Sequence, residues 1–156
     1  MHAYSATLTW EGNDGTGTAE YTRYGRRFRL AMPGKPDLVG SADPAFRGDP
    51  SLHNPEDLLL AAVASCHMLS YLALCARGGV RVVAYADAAH GKLEVEPRGG
   101  GRFRAITLRP RVTVASDADV ESAAALHAVA HERCFIASSC NFPITCEPTV
   151  LVGRAP

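Results

Sequence analysis

The chain carries no net charge: sixteen Lys and Arg balance sixteen Asp and Glu over 156 residues. Nucleic-acid binding needs a basic face that displaces counterions from phosphates, and an anionic membrane surface attracts the same kind of face. Neither nucleic acid nor membrane is therefore an expected partner. Long apolar runs are missing too. The longest, Leu58–Ala64, is too short to cross a bilayer. The opening residues Met1–Ser5 lack a basic stretch followed by an apolar one, which a secretory signal would need. The expectation is a soluble, cytoplasmic protein. There is no Cys-x-x-Cys, no Gly-x-Ser-x-Gly hydrolase elbow and no internal repeat. Gly99–Gly101 precedes a predicted strand rather than a helix, which argues against a phosphate-binding loop.

What is present is an ordinary globular composition, 47% apolar, in a length that suits one domain over residues 1–156. Alternation predicts a three-stranded meander over 3–30, with strands at Ala3–Trp10, Thr16–Tyr24 and Arg26–Leu30. A Pro- and Gly-rich loop follows over 33–53. The clearest element is a central helix over 55–77. Asn54 suits its N-cap, Pro55 its first position, and Glu56 and Asp57 its positive end, while Gly78-Gly79 stops it. Its apolar character on most faces predicts a buried place and a dimer interface. Strands are expected over 80–115, as a hairpin of Val80–Ala88 with Gly91–Glu96 followed by one long strand Phe103–Ala115. A second helix is expected over 117–134, and a closing strand over 144–152. This order predicts an α+β fold with antiparallel pairing.

Five cysteines, at 66, 75, 134, 140 and 146, do not read as a disulfide framework in a cytosolic chain, and an odd count leaves at least one thiol free. Cys66 sits inside the helical phrase Asn54-Pro55-Glu56-Asp57-Leu58…Ser65-Cys66-His67-Met68-Leu69, and Cys134 inside His131-Glu132-Arg133-Cys134-Phe135-Ile136-Ala137. Both surroundings are apolar, so each sulfur is either a core filler or half of a redox pair. His127, His131 and Cys134 fall at i, i+4 and i+7 on one helical face, an acceptable metal-ligand spacing to which Cys140 or Cys146 could add a fourth sulfur. His67 reads as a buried core histidine and Cys75 as filler. Leu59, Met68, Phe135 and Phe142 are guessed to line an apolar pocket.

The two cysteine phrases, in this order, resemble the OsmC/Ohr family of osmotically inducible and organic hydroperoxide resistance proteins. The likeness reaches from Trp10-Glu11-Gly12 to the last strand, and Cys66-His67-Met68-Leu69 with Cys134-Phe135-Ile136 looks like the OsmC-like branch. The resemblance implies an intertwined α+β homodimer with antiparallel sheets around a long buried helix. It implies a cysteine-based peroxidase acting on alkyl or lipid hydroperoxides, with no bound cofactor or metal, recycled by a lipoylated protein or similar dithiol. By position Cys66 would be the peroxidatic thiolate, Cys134 the resolving thiol and Glu56 the acid that holds an arginine. Arg47 is the candidate arginine and Arg23 the reserve, since no arginine stands in the first turn where some relatives place it. Glu56 and Cys66 are ten positions apart, about 15 Å along a helix, so the Glu56 serving Cys66 would come from a second copy. Two other readings are carried forward: a non-catalytic dimer that binds a small hydrophobic ligand, and a structural zinc module.

Overall fold

The computed structural model describes residues 1–97 and 99–153. The chain divides into two units, Met1–Leu59 and Leu60–Pro156. In the first, β1 (Thr7–Trp10), β2 (Phe28–Ala31) and β3 (Leu38–Gly40) form an antiparallel sheet in that order. This corrects the predicted meander. Residues 16–24 form turns, not a strand, and the third strand comes from the expected loop. Polar side chains explain the loss: Asn13 Oδ1 accepts from the Gly15 and Gly17 amides at 2.9 Å, and Asp14 Oδ1 accepts from the Thr16 amide at 3.0 Å. Asn and Asp offered amides in this way turn instead of extending. The tyrosines that suggested a strand are held locally, with the Arg26 guanidinium over the rings of Tyr21 and Tyr24. Gly25 N donates to Gly12 O at 2.8 Å, and a Cβ on Gly12 would meet Gly25 O at 1.8 Å.

The helix α1 (Pro55–Arg77) opens on a reciprocal cap. Asn54 Oδ1 accepts from the Asp57 amide at 2.8 Å, and Asp57 Oδ2 accepts from the Asn54 amide at 3.2 Å. Val63, His67, Tyr71 and Cys75 are buried at four-residue spacing. Ala61, Ser65, Leu69 and Ala73, two positions offset and so roughly opposite, are exposed. One stripe is thus buried in the single chain, and the opposite stripe is exposed. An eighteen-residue stretch of α1 has a mean hydropathy of 1.9, so by length and composition the helix could cross a membrane, a test that the core helix of a soluble protein also passes. The apolar run Leu58–Ala64 alone understated this.

In the second unit, β4 (Val82–Asp87), β7 (Pro110–Val114) and β9 (Thr149–Val152) make one sheet. β5 (His90–Val95), β6 (Gly101–Leu108) and β8 (Ile144–Cys146) make another. The chain changes sheet four times: between β4 and β5, at Arg109, between β7 and β8, and at Glu147-Pro148. The predicted hairpin therefore does not form, because β4 and β5 pair with β7 and β6. The predicted long strand and the closing strand are each broken in two. Pro110 cannot donate to a ladder, and Pro148 breaks the second run in the same way. The break is pinned by Arg109 N to Asp87 Oδ1 at 2.8 Å and by Arg109 Nε to Glu147 Oε2 at 2.9 Å. β8 runs parallel to β6, and β9 parallel to β7, so the sheets are mixed. The second helix, α2 (Val120–Glu132), buries Ala123, His127 and Ala130, and Tyr71 Oη donates to Ala123 O at 3.1 Å. One core cluster gathers Tyr71, Cys75, Val112, Val114 and Ala130, and another Val63, Ile106 and Leu108.

Candidate active site

Cys66 lies on α1, half-buried, one residue before the buried His67. Cys134 lies just past the last residue of α2 and is fully buried. Its position is fixed by the chain around it. Cys134 N donates to His131 O at 3.2 Å, and Ser138 donates to Cys134 O through both its amide and its hydroxyl. Ala137 N donates to Cys134 Sγ at 3.4 Å.

Both thiols are free, and Cys66 lies near enough to act on the titration of Cys134. Burial, and then the nearby Cys66, push the Cys134 thiol up to about 11. Cys134 therefore keeps its proton at ordinary pH. A nucleophilic sulfur beside a protonated thiol can be oxidised and then captured as a disulfide.

The other residues named from sequence lie in the N-terminal unit. Glu56 is the second residue of α1 and makes no ion pair among the described residues. Arg47, in a left-handed conformation at φ 65°, donates from Nη2 to Thr22 O at 3.0 Å. Arg23 pairs with Glu20 at 3.8 Å. Both guanidiniums are thus engaged within that unit. Glu11 takes the two arginines of β2's edge, Arg27 at 3.2 Å and Arg29 at 2.6 Å. The guessed pocket lining does not hold together: Phe135 is 83% exposed, whereas Phe142 packs in the core against Phe103 at 5.6 Å between centroids.

A second cluster lies close by, and the sequence gives no direct sign of it. His67 Nε2 meets His127 Nδ1 at 3.1 Å, and Cys146 Sγ lies 3.6 Å from the first and 3.9 Å from the second. The Tyr71 ring stacks on His127 at 3.9 Å between centroids. Burial, then the neighbouring His67, lowers His127 to about 4, and burial lowers His67 as well. Both rings are neutral at ordinary pH. The predicted metal face is thereby rearranged. His127 points its Nδ1 to His67 and Cys146, and His131 and Cys134 are not in the group. Cys75 is a core residue beside Tyr71, and Cys140 packs half-buried at the second core cluster.

Comparison with known proteins agrees with the fold. Among curated proteins nothing matches the chain. A solved OsmC-like protein of unknown function from Vibrio cholerae is similar at 30% identity and a TM-score of 0.84, covering 96% of this chain and 100% of its own. An organic hydroperoxide resistance protein from Elizabethkingia anophelis shares the fold at 17% identity and a TM-score of 0.69, with 98% of each chain covered. A Bacillus subtilis organic hydroperoxide resistance protein does so at 20% identity and a TM-score of 0.60, covering 94% of this chain and 98% of its own. The family described as OsmC-like protein matches residues 48–149, a span that takes in both cysteine phrases and both helices, and the chain belongs to that family.

Proposed function

We propose that the protein is a cytoplasmic thiol-dependent peroxidase that reduces organic hydroperoxides through Cys66 and Cys134, working as a homodimer. What supports this reading is that half-buried Cys66 acts at short range on the fully buried Cys134, 68 positions away in sequence. Core fillers gain nothing from meeting, whereas a peroxidatic and a resolving thiol must.

The Cys66 thiolate attacks the outer oxygen of R–O–O–H. The O–O bond breaks, Cys66 becomes a sulfenic acid, and the alkoxide leaves as alcohol after taking a proton. Cys134 then attacks the sulfenic sulfur, releasing water and forming the Cys66–Cys134 disulfide. A dithiol, of which a lipoyl group is the proposed kind, reduces that disulfide and leaves as its own cyclic disulfide. A cation beside Cys66 would favour its thiolate. Arg47, with Arg23 in reserve, is assigned that role, held by Glu56 of a second copy.

One equivalent of cumene hydroperoxide should consume two thiols per chain and give a Cys66–Cys134 disulfide on peptide mapping. If the Cys66→Ser protein reduces the peroxide as fast as wild type, the reading fails.

A further inference from the structure

His67 Nε2, His127 Nδ1 and Cys146 Sγ all lie within 4.8 Å of one another. Around a tetrahedral zinc ion, with bonds of about 2.0 Å to imidazole and about 2.3 Å to thiolate, two nitrogens stand about 3.3 Å apart and a nitrogen–sulfur pair about 3.5 Å. The observed 3.1, 3.6 and 3.9 Å depart from these by a few tenths of an ångström, within reach of small side-chain rotations. Three elements supply the donors: α1, α2 and β8.

The cluster is poorly satisfied on its own. The facing ring nitrogens can share a single proton, and the outer nitrogens, His67 Nδ1 and His127 Nε2, are buried without a hydrogen-bond partner among the described residues. Burial, followed by the nearby charge of Asp87, holds the Cys146 thiol up to about 11. Asp87 itself keeps a buried oxygen, Oδ2, with no partner. A divalent cation between the three donors would reverse that balance: it favours the thiolate and gives the Asp87 charge a counterpart.

We propose that His67, His127 and Cys146 form a zinc site separate from the Cys66–Cys134 pair, with its fourth position open. A cavity of about 290 Å³ adjoins it, lined in part by His127, His131, Cys146 and Pro148. His131 Nδ1, buried and without a partner, is available to a water or anion in the fourth position. The donor set selects the metal class. One thiolate with two imidazoles suits zinc, whereas magnesium and calcium take oxygen donors. Binding displaces the Cys146 proton to solvent and uses the lone pairs of two neutral imidazoles, so no electron is transferred.

The test uses the full chain, kept reduced, stripped with a chelator and then loaded with zinc or with cobalt as an optical probe. One ion per chain is expected, with thiolate-to-cobalt charge-transfer absorption and the intense visible bands of four-coordinate cobalt. X-ray absorption of the zinc form should give one sulfur in the first shell, the rest nitrogen or oxygen, and this measurement needs no variant to fold. Cys146→Ser should remove the charge-transfer band. His127→Gln should weaken zinc binding by at least about a hundredfold, the upper end of what losing a mere second-sphere partner costs. The double variant Cys66→Ser, Cys134→Ser should bind as wild type. Failure of wild type to retain zinc, a first shell of two sulfurs, a band that survives Cys146→Ser, or loss of binding in the double variant would each overturn the proposal.

Discussion

Cys134 and His127 carry the sharpest single-residue consequences. With Cys134 replaced by serine, Cys66 should still react with peroxide but find no thiol to close on. Mass spectrometry should then show one thiol consumed per chain, no intramolecular disulfide, and progression to the sulfinic acid under excess peroxide. His127 links the fold to acid. Its folded value of about 4 lies below the 6.5 of an exposed imidazole, so between those two pH values the unfolded chain takes up a proton that the folded chain refuses. That stability is intact above pH 6.5 and is lost progressively as pH falls toward 4, on the order of 3 kcal/mol in all. Urea midpoints of the metal-free protein measured across that range should fall steeply for wild type and less for His127→Gln, which has no imidazole to charge.

Single elements differ in how openly the sequence declares them. The helix α1 is plain to read, because Asn54, Pro55 and Asp57 are start signals and Gly78-Gly79 a stop, all of them local. Replacing Asn54 by alanine should remove one side of the reciprocal cap and cost about 1 kcal/mol, a drop of roughly 2–4 °C in thermal midpoint by calorimetry. Asn54→Ala combined with Asp57→Ala should cost less than the sum of the two, since both act on the same turn. The strands are harder to read. Phe103–Ala115 and Ile144–Val152 keep their apolar alternation through Arg109 and Glu147, so the pattern cannot reveal that the chain changes sheet there. The tyrosines of 16–24 imitate a strand, although Asn13 and Asp14 had already committed the backbone to turning. At the site, Cys66 and Cys134 are recognisable because each sits in a distinctive local phrase. The meeting of His67, His127 and Cys146 is not recognisable, because 60 and 19 positions separate the contacting pairs and only tertiary packing closes those gaps.

The whole molecule leaves apolar surface open in the single chain. Leu69, on the stripe opposite the buried face of α1, is 62% exposed, and Leu8 and Trp10 on β1 are 66% and 41% exposed. The proposed homodimer would cover surface of this kind. Leu69→Asp should therefore yield a monomer by sedimentation analysis and depress peroxide turnover by at least about tenfold, while far-ultraviolet circular dichroism stays as in wild type. A dimer that persists in this variant would place the interface elsewhere.

The order of the strands also decides when the molecule can be finished. β8 and β9 follow α2, yet each completes a sheet by pairing with a strand some forty residues earlier, β8 with β6 and β9 with β7. A nascent chain that has emerged only as far as Pro143 holds β6 and β7 with one edge bare, and those edges invite pairing with a neighbouring polypeptide. The second unit can therefore close only once β8 and β9 have both emerged. Premature termination ahead of Ile144 would release an aggregation-prone fragment rather than a smaller working protein.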